Sequence, residues 1–82
     1  MKAKITIPRQ KEEDKCKFGY VSCVYIISEE IDRIEEILDN NDIEILSLEE
    51  DFISVTNRFC DTLVECHKAQ TELKNELKKI LK

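Results

Sequence analysis

The chain has 82 residues, with 18 Asp and Glu against 13 Lys and Arg, a net charge of −5; this limits it to one small acidic domain, residues 1–82. A chain of this size buries only about 60% of its unfolded surface, so a partner or a second copy would add to a marginal stability. Apolar residues make up 41%, and Gly and Pro occur once each, which argues against a disordered chain, a flexible linker or a low-complexity tract.

The first segment, "KAKITIP", alternates. Ala3, Ile5 and Ile7 share one face and Lys2, Lys4 and Thr6 the other, as in a half-buried strand. Its lysines and Pro8 suit a sheet edge, because Pro donates no backbone hydrogen bond and Lys discourages further pairing. Lys2, Lys4 and Arg9 also interrupt any secretory pattern. Residues 9–17, "RQKEEDKCK", are charged and aperiodic and read as an exposed loop. "FGYVSCVYII" is apolar on both faces, with Tyr20, Val24 and Ile26 on one and Val21, Cys23, Tyr25 and Ile27 on the other. That is the pattern of a central strand. It is far too short to span a membrane, and a cytoplasmic, soluble protein is expected.

Ser28 is placed to cap a helix over about 29–40, with Glu29 and Glu30 at the positive end of its dipole. Ile31, Ile34, Ile37 and Leu38 form its apolar face, and the Asn40–Asn41 pair suits a left-handed helix end. "DIEILSLEEDFISVTNR" reads as a hairpin, with strands near 43–48 and 52–56 and a turn at Glu49, Glu50 and Asp51. Ile43 and Ile45 are out of phase with Leu46 and Leu48, which requires either a bulge near Leu46 or a strand covered on both sides.

The last segment has Thr56 or Asn57 as its cap and a helix over 57–81. Phe59, Leu63, Cys66, Gln70, Leu73, Leu77 and Ile80 follow a heptad spacing. A helix of this length would overhang its sheet by about two turns, taking about 1.5 Å per helical residue and about 3.3 Å per strand residue. In its second half the apolar face narrows to Leu73, Leu77, Ile80 and Leu81, the width of a helix–helix seam. These four residues are therefore expected to pack on another helix, most simply in a homodimer.

The element order is β-β-α-β-β-α, an α+β class with a four-stranded, mainly antiparallel sheet and two helices on one face. Residues 20–81, as βαββα, resemble a ferredoxin-like (ACT-like) split βαβ unit lacking its last strand. The N-terminal strand could fill that edge, which would make the fold a circular permutation. The likeness is topological. ACT-type amino-acid sites need glycine in their loops, and the only glycine here is Gly19, so that site does not carry over.

Cys16, Cys23, Cys60 and Cys66 form no C-x-x-C pair. Cys60, Cys66 and His67 are the only local group of metal-ligand types, and Cys66 and His67 diverge by about 100° on a helix. No metal or other cofactor is expected. No nucleophile–base spacing and no Gly-rich phosphate loop is present, so neither an enzyme nor a nucleotide binder is read.

Charge is unevenly spread. Residues 29–51 hold eleven acids and one Arg, whereas residues 1–17 and 68–82 each carry a net +3. With Ile31, Ile34 and Leu38 inward, Glu29, Asp32, Glu36 and Asp39 fall on the outer helix face, and Glu49, Glu50 and Asp51 occupy the turn. Such a face repels nucleic acid and attracts a basic protein surface. In size and charge the chain resembles small acidic inhibitors, often phage-encoded, that engage nucleases, polymerases or CRISPR effectors. The sequence thus points to a non-enzymatic, protein-binding module whose partner presents a basic, nucleic-acid-handling surface. A small-ligand regulatory domain and an accessory subunit of a larger assembly are the competing readings.

Overall fold

The computed structural model describes residues 2–81. Its elements are β1 (Lys4–Thr6), a 3₁₀ turn (Glu12–Asp14), β2 (Tyr20–Ile27), α1 (Ile31–Asn40), β3 (Glu44–Leu48), β4 (Phe52–Cys60) and α2 (Leu63–Ile80). The strands form one sheet in the order β1-β2-β4-β3, and every neighbouring pair is antiparallel. The α+β class, the four-stranded sheet and the C-terminal helix read from the sequence are all present.

The helices bury onto one layer of side chains. Val24 and Ile26 of β2 and Ile53 and Val55 of β4 meet Ile31, Ile34 and Leu38 of α1 and Leu73 and Leu77 of α2 in a single core. The pairs Val24–Val55 and Ile26–Ile53 lie directly opposite one another, so they share that face. The pairs Tyr25–Ser54 and Ile27–Phe52 take the other face. There the Tyr25 and Phe52 rings pack at 5.0 Å, and Ile27 is exposed. A smaller cluster of Tyr20, Cys60, Cys66 and Ala69 continues the core toward the start of α2.

The C-terminal element differs from its expectation. Residues 57–60 belong to β4, and the helix begins only at Leu63. Thr62 is the cap, its hydroxyl accepting from the Glu65 N–H at 3.2 Å. β4 runs on because it bulges: Asn57 and Arg58 together oppose Ser22, between the pairs Val21–Phe59 and Cys23–Thr56. The Ser22 hydroxyl, fully buried, holds this bulge by bonding to the Asn57 side chain and to the Arg58 backbone.

With 18 residues, α2 is about 27 Å long, and nine-residue β4 about 30 Å. The predicted overhang does not exist. Leu73, Leu77 and Leu81 are buried in the chain's own core, with Ile80 packed against it. The residues of the expected intermolecular seam are therefore buried inside the chain, where α2 lies on β1, β2 and β4.

Gln70, the polar member of the stripe, is also explained. β1 leaves the ladder after Thr6, which pairs with Tyr25, and Pro8 has no N–H to offer further on. The Gln70 amide nitrogen supplies the missing donor, bonding the carbonyls of Cys23 at 2.9 Å and Pro8 at 3.1 Å. It ties the N-terminal strand, the central strand and α2 together.

Two stability changes follow, both measured by urea unfolding. Leu77→Ala should cost about 2–5 kcal/mol, the range for emptying a closed core site. Gln70→Met should cost about 1 kcal/mol: the buried Cys23 carbonyl and the part-buried Pro8 carbonyl lose their donor, while removal of the buried, unpartnered Gln70 Oε1 offsets part of the loss.

Candidate functional site: an acidic ridge along helix α1

The ridge starts where β2 hands over to α1. Ser28 is not the cap itself; α1 begins at Ile31 with Glu30 in the cap position. The Ser28 hydroxyl instead accepts from the Glu30 N–H at 3.0 Å and donates to the Lys2 carbonyl at 2.6 Å. The Ser28 N–H bonds the Asp51 carbonyl at 3.0 Å. These bonds fix the β2–α1 link, the β3–β4 turn and the N-terminal segment at one end of the sheet. Glu29, Glu30, Glu49, Glu50 and Asp51 all gather there, exposed.

Basic groups accompany this end. Lys2 donates its backbone N–H toward Glu30 at 3.4 Å. Lys2, Lys4, Glu29 and Glu30 together line an open groove of about 650 Å³ with Ala3, Ile27 and Ser28. Asp32 sits in the first turn of α1, where the helix dipole favours a carboxylate. The helix dipole gives Asp32 a role in folding, and Glu30 is held by the Lys2 backbone.

The opposite end is different. Glu36 and Asp39 are exposed along α1, and its last turn holds no basic residue. Asp39 therefore sits at the negative end of the helix dipole, where a carboxylate costs about 0.3–1 kcal/mol. The helix then closes on a paired hydrogen-bond motif: Ile43 N–H to Leu38 C=O at 3.0 Å and Asp42 N–H to Asp39 C=O at 3.3 Å. The residue in the left-handed conformation is Asp42, at φ 57°, not one of the two asparagines. Asn41 serves as the C-cap, its side chain bonding the Ile37 carbonyl at 2.8 Å. Gly at position 42 would be less strained, and Asp there adds a second carboxylate to the same unfavourable helix end.

The structure gathers part of the predicted set and strings the rest along α1. Glu29, Glu49, Glu50 and Asp51 lie at one end, Asp32 and Glu36 along α1, and Asp39 at the other end. The helix between the ends is ten residues, about 15 Å. The ridge continues into Asp42 and Glu44, both exposed, which the sequence reading left out of the site. Among the described residues one salt bridge forms, Arg33 to Glu30 at 3.8 Å, and it is solvent-exposed. No basic residue occurs between Arg33 and Arg58.

The cysteines lie away from this ridge. Cys16 is exposed, and Cys23, Cys60 and Cys66 are buried as free thiols. The Cys23 sulfur is 3.0 Å from the Ser54 hydroxyl, and the Cys66 thiol donates to the Val21 carbonyl at 3.4 Å. Burial pushes both thiols above the usual range. For Cys23 the Ser54 bond opposes this; for Cys66 the neighbouring Cys60 and Cys23 add to it. His67 is exposed on α2. Among the described residues no three His, Cys, Asp or Glu side chains converge as metal ligands do, and no helix is long and apolar enough to cross a membrane. Comparison with protein families, with characterised proteins and with solved structures finds no match for this chain.

The thiols predict a chemical order. Iodoacetamide on the native protein at neutral pH should label Cys16 within minutes and the other three only after denaturant, as read by mass spectrometry. Because the folded values of Cys23 and Cys66 are raised, the stability they carry is present below the ordinary thiol range and lost as pH climbs through it. Urea midpoints should therefore hold steady from neutrality to about pH 8 and fall above it.

Proposed function

We propose that the protein is a small, non-enzymatic interaction module whose α1 ridge engages a basic surface of a partner protein, most sharply a surface that handles nucleic acid. The observation that carries this reading is the placement of Asp39 and Asp42. Both stand at the helix end where a carboxylate opposes folding, one of them in a backbone conformation that favours glycine. Solubility alone requires no acid at that end, since any exposed position would serve. Residues that break a local rule without a compensating contact are the ones to suspect of function. The strand order β1-β2-β4-β3 supports a permuted ferredoxin-like arrangement, with β1 in place of the last strand. In this reading the sheet is a scaffold that holds α1 outward.

The test separates binding from stability. The double variant Asp39→Lys with Asp42→Gly should be more stable than the parent by about 1 kcal/mol, since both changes relieve the helix end. The same variant should lose the partner captured by the parent protein from its native host. Capture by the parent should weaken steeply with salt, because screening shortens the reach of exposed charges from about 10 Å at 0.1 M to about 3 Å at 1 M. Nucleic acid added to the captured complex should displace the protein. Retention of the same partner by the reversed variant, at low and high salt alike, would sink the proposal.

A further inference from the structure

The two edges of the sheet are not built alike. β1 spans three residues, presents an exposed Lys4 and is followed by Pro8, all of which discourage another strand from adding. β3, at the opposite edge, has five residues and neither Lys nor Pro; its one guarding feature is a bulge at Leu46. Every second residue of an edge strand turns its N–H and C=O away from the sheet, open to another backbone. The strand also exposes apolar side chains, Leu46 at 45% and Leu48 at 47%.

The register explains why these leucines are free. Ile45 pairs with Val55 and Ser47 with Ser54, so Leu46 is an extra residue without a partner on β4. Leu48 lies opposite the core residue Ile53, which places it on the face that carries the helices, at the uncovered rim. A backbone laid against β3 would bring its side chains on that face beside α1 and Leu48, with Leu46 exposed at the bulge.

Charge selects the occupant. Asp42 and Glu44 stand at one end of β3, and Glu49, Glu50 and Asp51 at the other, with no basic residue in the segment. A second copy paired antiparallel about Leu46 would set Glu50 against Asp42. Paired parallel and in register, it would set each acid against itself. Like charges directly opposite destabilise a strand pair.

We propose that β3 is a docking edge, and that an extended segment of a partner protein adds to it as a fifth strand, with apolar residues against Leu46 and Leu48 and Lys or Arg toward the flanking acids. Main-chain bonds supply affinity and alternate side chains supply selectivity in this mode of recognition. The inference deepens the reading of a basic partner and rests on it for the sign of the charge.

The probe is a short synthetic peptide alternating Lys and Val, compared with one of the same charge whose central Val is Pro. Binding to the full-length protein is followed by titration and by amide hydrogen exchange. The alternating peptide should slow exchange of outward-facing amides within Ile45–Leu48 by about tenfold or more, as new backbone bonds close them to solvent. The proline peptide should bind at least about tenfold more weakly and leave β3 unprotected, since it cannot complete the ladder. Equal binding of both peptides without protection of β3 overturns the docking edge, as does protection confined to β1 or absence of binding by either. If that equal binding vanishes in the Asp39→Lys, Asp42→Gly variant, the acidic-partner reading stands without the edge. Protection of β3 that persists unchanged in the variant keeps the edge and removes the charge reading.

Discussion

The structure depends on a single layer of apolar side chains. Val24, Ile26, Ile53 and Val55 form the floor on which both helices lie, and among the described residues no second layer of helices covers the other face. A small chain has no residues to spare for one. Each remaining feature follows from how that layer is closed. α1 contributes Ile31, Ile34 and Leu38 inward and must therefore turn Asp32, Glu36 and Asp39 outward. α2 must run along the sheet to its end, because Leu73, Leu77 and Leu81 are needed to complete the same core. The N-terminal strand is held where it is because Gln70 completes the ladder that Pro8 interrupts.

The same economy explains what the sequence did and did not reveal. The alternation of residues 2–8, the two-faced apolar run at 20–27 and the 3.6-residue repeat of α1 each identify their element, because each is dominated by burial. The hairpin is legible too, and of the two explanations for the phase conflict, a bulge near Leu46 or a strand covered on both sides, the register shows the bulge, between Ile45 and Ser47. The error lay at 57–62. Phe59 and Leu63 are four apart and mimic a helical stripe, whereas Phe59 and Cys60 are strand residues on opposite faces beyond a bulge. A two-residue bulge held by Ser22, thirty-five positions away from Asn57, is a tertiary event that leaves no local periodicity. Thr62-Leu63-Val64-Glu65 did carry the spacing of a helix start, and it marks the true boundary.

That error propagated into the expected dimer seam. A narrow apolar stripe fits a helix–helix seam, but here it packs on the strands of the chain's own sheet. Here α1 joins the same core, so Leu73 and Leu77 are internal. The unsatisfied surface of the molecule lies elsewhere, on the Tyr25–Phe52 face and along β3. Neither could be located until the register was known, because a shift of one residue exchanges the faces of a strand.

The acidic run was legible as charge but not as position, and position is what gives it meaning. Carboxylates near the start of α1 are favoured by the dipole and sit beside Lys2 and Lys4. Those near its end have neither advantage. Asp42 adopts a left-handed backbone where Gly would relieve the strain, and Asp39 faces the negative pole with no cation in the same turn. The whole molecule is only marginally stable for its size, so a loss of about 1 kcal/mol at one helix end is not trivial. Selection purges only losses that take a protein below its stability threshold, and a loss of this size is retained where binding depends on it. The two ends of one helix thus separate charge that serves folding from charge that opposes it. The second kind lies beside the sheet edge that lacks Lys and Pro and exposes two leucines.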